Sequence, residues 1–337
     1  MEESASSRLD SHLEFLNDRK LPAVLTAGRG ESLEGLLRGL GPSLDAVLTK
    51  HGAVLFRGFS LTAQQFREVS AHLLGDSFRP YVGGTSPRKQ VDERIYESTR
   101  FPRNLTLPLH NEMSYLPDPP RRIAFFCELP AESGGETPLA DSRAIYRSIP
   151  EATRDAFETS GIRYHRYLYG ARWRLLNTAV NRLVPLHCSW MAAFQTTDRA
   201  EVERICAAQG VAVEWDRQEG ALLANTLPAA RTHPLTGEKI WFNQAAAFIL
   251  TRRSAGFARW WLYGLAWPNA MQRPFHATFA SGEAIPVKQL NDVNDAIGRV
   301  TIRFPWRRGD LLLADNYLVA HGRMPFRGQR RVLVAMA

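Results

Sequence analysis

The sequence predicts a mainly β protein with flanking helices, built around an antiparallel barrel or jelly roll rather than a doubly wound sheet. Short apolar runs of strand length gather towards both ends of the chain, at 52–59 and 123–129, then at 300–304, 311–314 and 332–336. Helical patterns occur among them without a regular strand–helix alternation. No internal repeat, low-complexity segment or linker divides the chain, so residues 1–337 read as one domain. A barrel of this kind closes by pairing early strands with late ones.

Taken in order, residues 1–20 are a loose start or a helix packed on the body, and 21–26 a short strand. Ser32 caps a helix with Glu34 in its first turn, and the Gly41-Pro42-Ser43 break begins a second one reaching Lys50. The glycine-bounded run 52–59 is a buried strand. Thr62 caps residues 63–74, where Phe66, Val69, Leu73 and Leu74 recur at helical spacing. The glycine-rich loop 81–88 matches neither phosphate-binding glycine pattern and is given no such role. A strand at 123–129 precedes the turn Ser133-Gly134-Gly135-Glu136-Thr137. Asp141 caps a helix to Ser148, and another begins after Pro150. Residues 1–100 thus pack strands and helices on the core. The aromatic-rich stretch 161–275 reads as a helical insert shaping a substrate pocket, with helices at 198–209 and 255–265 and a strand at 240–243.

Composition excludes several classes. Hydrophobic content of 45% and charged content of 23% are ordinary for a globular chain. No apolar run approaches the roughly 20 residues of a membrane span. The acidic, polar N-terminus is not a secretory signal. Cys127, Cys188 and Cys206 are odd in number and lack C-x-x-C spacing, which points to a reducing cytoplasm. The net charge of +8 comes from scattered arginine pairs, with no nucleic-acid motif. It reads as a solvated basic surface, with an acidic carrier protein as the alternative.

The chemistry is carried by Leu109-His110-Asn111-Glu112-Met113-Ser114-Tyr115. In an extended segment His110 and Glu112 project from one face, and a metal ion can take both. His321, between an apolar strand and a turn, supplies a third ligand. Two imidazoles and one carboxylate form the facial triad of non-haem Fe(II) oxygenases, which leaves positions open for a chelating co-substrate and O₂. Arg331, across a hairpin turn from His321, presents a guanidinium suited to a carboxylate, and Thr137 adds a hydroxyl. Arg330 stays open as the alternative, because neighbours on a strand face opposite sides and a bulge exchanges them. Trp241 and Asn243 are candidate substrate-side residues. His12, His51, His72, His165, His187, His233 and His276 are expected to be ordinary surface or hydrogen-bonded histidines, and Asp310 and Asp315 turn and strand-end residues.

The segment 109–115, the run Gly134-Gly135-Glu136-Thr137-Pro138 and the His321…Arg331 segment resemble the Fe(II)/2-oxoglutarate oxygenases of the taurine dioxygenase/clavaminate synthase superfamily. The 234–238 turn, Trp241-Phe242-Asn243-Gln244 and His321-Gly322-Arg323 are similar to the branch containing the syringomycin aspartyl hydroxylase. The resemblance spans about residue 52 to the end. It implies a double-stranded β-helix (jelly-roll) core, His110, Glu112 and His321 as iron ligands, and Thr137 and Arg331 on the distal carboxylate of 2-oxoglutarate. It implies hydroxylation of an amino acid or carrier-tethered aminoacyl group in antibiotic-type biosynthesis, with Fe(II), 2-oxoglutarate and O₂ consumed to give succinate and CO₂. Glu112 stands where halogenases leave room for chloride. Sulfonate-binding members carry a second arginine four residues after the co-substrate arginine, where this chain has Ala335, so taurine-like substrates are not expected. Desaturation, epoxidation and cyclisation use the same chemistry. A non-catalytic barrel binding a metal or 2-oxo acid is the reading from a different class.

Overall fold

The computed structural model describes residues 13–75, 90–92, 95–98, 101–173 and 188–337. The loop 81–88, His12 and His187 lie outside the described residues. The largest sheet has eight strands in the order Leu13–Phe15, Ala23–Thr26, Ala53–Arg57, Leu311–Asp315, Arg122–Leu129, Arg331–Met336, Ile95–Glu97 and Gln90–Asp92. Only the Ala23–Thr26 and Ala53–Arg57 pair is parallel. Early and late strands therefore interleave, as barrel closure requires.

Alternation along these strands divides the molecule into two cores. Phe56, Phe126, Leu313 and Leu333 face the N-terminal helices, while Leu55, Phe125, Leu312 and Val334 face the barrel. The first core is sealed by three helices. Leu33–Leu40 is capped by Ser32, whose side chain accepts from Gly35 N. Pro42–His51 ends at left-handed Gly52, where a Cβ would meet the Val319 side chain at 2.5 Å. Ala63–Leu74 starts in a reciprocal Thr62–Gln65 capping box. It lays fully buried Phe66 flat against Phe126, with ring centroids 5.2 Å apart.

Facing the barrel side is a four-stranded sheet in the order Ile302–Phe304, Thr137–Asp141, Val319–Arg323, Leu107–His110. Val287–Val300, a helix absent from the sequence expectation, buries Leu290, Val293, Ala296 and Val300. The expected strand at 300–304 starts only at Ile302, because the helix runs through Val300.

The insert differs most from expectation. Besides the helices Arg199–Ala208 and Phe257–Ala266, it contributes three strands to a four-stranded antiparallel sheet. The order is Ala212–Trp215, Ala221–Leu227, Ile162–Leu168 and His276–Phe279. Ile162–Leu168 reads IRYHRYL, and its buried His165 and Arg166 break the apolar pattern that marks a strand. The helix expected over 255–265 is interrupted by Gly256, whose φ of +77° leaves the helical region. Among the described residues, no helix is long and apolar enough to cross a membrane.

Candidate active site

His110 and His321 are direct antiparallel partners on adjacent strands, so their side chains emerge from one face. Their ring centroids lie 4.7 Å apart. Glu112 reaches them differently from expectation. The strand stops at His110, and the following residues turn, with Ser114 N donating to Asn111 O and Leu116 N to Met113 O. Met113 takes a φ of +53° in that turn. His110 and Glu112 thus converge through a turn rather than through strand pleat. One ligand atom from each of His110, Glu112 and His321 lies within 4.8 Å of the others.

Asn316 holds this turn. Its Oδ1 accepts from Glu112 N at 2.6 Å, and its Nδ2 donates to Glu112 O at 2.9 Å and Pro120 O at 2.7 Å. Asn111 Nδ2 returns a bond to Asn316 O at 2.7 Å, and Gln244 Nε2 donates to Asn111 O at 2.7 Å. The backbone around the carboxylate is therefore fixed from buried side chains on two other segments. Sequence reading assigned no role to Asn316, Asn111 or Gln244, since what they do is hold backbone in place and that carries no metal-ligand signature.

The donors fit a divalent metal. His110 Nδ1 lies 2.8 Å from Pro108 O; as donor there, it leaves the Nε2 lone pair for an ion. His321 Nε2 faces Glu112 Oε2 across 3.8 Å, while its buried Nδ1 has no partner among the described residues. Adjacent ligand atoms on an octahedral ion with bonds of roughly 2.1 Å sit roughly 3 Å apart, so a small inward shift closes the set. Phe125 packs edge-on to His321 at 4.9 Å and walls the site with hydrocarbon.

Thr137 is buried on the strand that pairs with His321's strand, and its Oγ1 accepts from Trp306 Nε1 at 2.9 Å. Arg331 does not turn inward as expected. Its Nη1 lies 2.7 Å from Glu128 Oε2 and its Nε 3.8 Å from Glu97 Oε1, with the side chain 41% exposed. Arg330 takes the inward position. Its Nε donates to Gly135 O at 3.1 Å, two residues from Thr137. Partial burial brings its guanidinium down to about 10, and Arg323, which is buried, falls to about 10 with Arg330's charge contributing. Among the described residues neither arginine has a carboxylate partner. The reason for the exchange is alternation. Val332 and Val334 face the barrel and Leu333 and Ala335 the helices, which puts Arg330 with the first pair and Arg331 with the second. The register against Arg122–Leu129 also slips between Arg331 and Val332.

With Leu109, Pro138, Val293 and Ile297, Trp241 and Asn243 line a cavity of about 330 Å³ whose described lining includes none of His110, Glu112 and His321. Pro138 points to the side of its strand opposite Thr137. Trp241 packs edge-on against Phe157 at 5.2 Å. Asn243 spends its amide on Ala229 O at 2.7 Å and its carbonyl on Ala245 N at 3.1 Å. Both have structural employment. The bland expectations for other residues match the contacts: His233 Nε2 lies 3.2 Å from Asp315 Oδ2, His51 Nδ1 3.1 Å from Lys20 O, and Asp310 pairs with Arg57 at 2.7 Å.

Comparison with known proteins agrees with this geometry. The family profile described as "Taurine catabolism dioxygenase TauD, TfdA family" matches residues 17–336. The dapdiamide synthesis protein DdaC of Enterobacter agglomerans is 33% identical over 293 residues, covering 87% of this chain and 84% of that protein. A clavaminate synthase-like protein of Arabidopsis thaliana is 30% identical over 296 residues, covering 87% and 83%. In fold, the chain is similar to the crystal structure of PvcB from Pseudomonas aeruginosa, with a TM-score of 0.52 at 17% identity, over 93% of this chain and 84% of that one.

Proposed function

The chain belongs to the TauD/TfdA family of dioxygenases and is an Fe(II)- and 2-oxoglutarate-dependent oxygenase, from which we propose that it hydroxylates an unactivated C–H bond of an amino acid or carrier-tethered aminoacyl group. The observation that carries the reading is the clustering of His110, Glu112 and His321 with the carboxylate retained. Its relative DdaC is named for dapdiamide synthesis, which supports a biosynthetic role on a small-molecule substrate. We read residues 1–337 as one oxygenase domain working in the cytoplasm.

His110, Glu112 and His321 hold the iron, and bound iron with 2-oxoglutarate and O₂ supplies the oxidising power for C–H cleavage, yielding succinate and CO₂. The rest falls to the protein. Asn316 keeps the Glu112 backbone in place. Arg330 and Thr137 hold the distal carboxylate of the co-substrate. Arg330 is half-buried beside the Arg323 charge, with no carboxylate partner among the described residues; a partly desolvated cation in that position is costly, and an incoming dicarboxylate relieves that cost. Phe125 limits water beside His321. The basic surface suits an acidic carrier protein as the vehicle for the substrate.

The test is succinate formation from 2-oxoglutarate across a panel of free and carrier-bound amino acids. Turnover is expected to require Fe(II) and to vanish in Glu112→Ala. Undiminished turnover in that variant removes the metal assignment. Tight 2-oxoglutarate binding with no oxygen-dependent succinate on any panel member favours a binding module instead.

A further inference from the structure

A threonine hydroxyl offers one hydrogen-bond donor and two acceptor lone pairs, whereas an indole N–H only donates. The 2.9 Å bond between Trp306 Nε1 and Thr137 Oγ1 therefore has a fixed direction: tryptophan gives and threonine accepts. Thr137 is 4% exposed and Trp306 8%. Among the described residues the Thr137 O–H meets no acceptor of its own. A buried donor left unpaired is destabilising. The arrangement thus keeps a hydroxyl hydrogen in reserve two residues from Gly135, whose carbonyl accepts from Arg330.

Trp306 is itself held firmly. Its ring packs edge-on against Phe304 at 4.9 Å, and Phe304 is the direct cross-strand partner of Thr137. The turn beyond it is pinned by Arg57, which donates to Pro305 O at 3.0 Å and to both oxygens of Asp310 at 3.1 and 2.7 Å. Arg307 N adds a bond to Asp310 Oδ2 at 2.8 Å. The indole has little freedom to follow a different partner.

We infer that Trp306 is a positioning residue for the co-substrate: by occupying a lone pair of Thr137, it turns the threonine hydroxyl hydrogen towards the distal carboxylate of 2-oxoglutarate beside Arg330. This rests on the reading of Thr137 and Arg330 as the carboxylate anchor. Without the indole donor the hydroxyl is free to rotate, and binding has to fix a rotor that the wild-type protein fixes in advance.

The experiment uses the full chain loaded with Mn(II) and titrated calorimetrically with 2-oxoglutarate, then with 2-oxobutyrate, which keeps the chelating end and lacks the second carboxylate. Thr137→Val is expected to weaken 2-oxoglutarate roughly 10-fold and Trp306→Phe roughly 5-fold, within the range of a hydrogen bond to a charged group. The double variant should bind no more than about 2-fold worse than Thr137→Val, since both changes remove one interaction. Neither single variant should move 2-oxobutyrate. If Thr137→Val weakens 2-oxoglutarate while Trp306→Phe leaves it unchanged, the positioning role is overturned and the anchor stands. An unchanged affinity in Thr137→Val overturns the anchor and the inference with it. Equal losses for both acids in Trp306→Phe make the indole a packing residue only.

Discussion

Arg330 and Arg331 are neighbours in sequence with opposite surroundings, and the difference is measurable. Arg331 meets Glu128 and Glu97 at the surface, where an ion pair contributes little. Arg330 is half-buried beside the Thr137 turn and has no carboxylate partner among the described residues. Arg330→Ala is expected to raise the KM for 2-oxoglutarate roughly 10- to 100-fold, the worth of a charge-assisted bond. Arg331→Ala should leave it within about 2-fold. Steady-state kinetics with varied 2-oxoglutarate decide this, and the reverse pattern would return the anchor to Arg331. The metal-ligand candidates were legible in the sequence because few residue types donate to iron and because His110, Glu112 and His321 sit in recognisable surroundings. Arg330 was only half legible: alternation says that one of two adjacent arginines faces inward, and deciding which requires knowing that Val332 and Val334 line the barrel. Asn316 and Trp306 were not legible, since an amide or an indole becomes functional only through what lies opposite it in space.

At the level of elements, the strand pair in the insert makes its own prediction. His165 on Ile162–Leu168 lies directly opposite His276 on His276–Phe279, with ring centroids 6.1 Å apart. Burial is the main cause that brings His276 down to about 4, with Arg273 and His165 adding to it; burial and Arg163 lower His165 too. The unfolded chain takes up this proton near pH 6.5 and the folded chain only near 4. Between those values the unfolded state holds more protons, so stability falls as the pH drops through the window. After allowance for its partial exposure, His276 accounts for a loss on the order of 2 kcal/mol. Urea midpoints measured at pH 7 and pH 4.5 should show it, and His276→Gln should flatten the slope. An identical slope in the variant would assign the pH dependence elsewhere. These strands escaped the sequence reading for the same reason that they titrate oddly: they enclose a buried imidazole, a half-buried one and a buried guanidinium where periodicity looks for hydrocarbon. By contrast, three other helices carried their own start signals in Ser32, Thr62 and Asp141, and the caps form where those residues stand.

For the molecule as a whole, the decisive feature is that the late chain inserts between early strands. Leu311–Asp315 lies between Ala53–Arg57 and Arg122–Leu129, and Val319–Arg323 between Leu107–His110 and Thr137–Asp141. The jelly-roll expectation anticipated this closure, because only such pairing brings His321 to His110. A metal held by His110, Glu112 and His321 is then a cross-link between the first third of the chain and its last strands, bound by the folded state alone. Ligand at roughly 100 times its Kd adds about 2.7 kcal/mol of stability, which for a chain of this size corresponds to roughly 4 °C in Tm. Mn(II) should therefore raise the melting temperature of the wild type, and 2-oxoglutarate should raise it further only when Mn(II) is present. Glu112→Ala should lose both increments. Arg330→Ala should keep the metal increment and lose most of the second, because the ligand triad is intact while the carboxylate anchor is gone. A 2-oxoglutarate increment that persists without metal would place the acid somewhere other than the His110–Glu112–His321 face, and would separate acid binding from the iron chemistry.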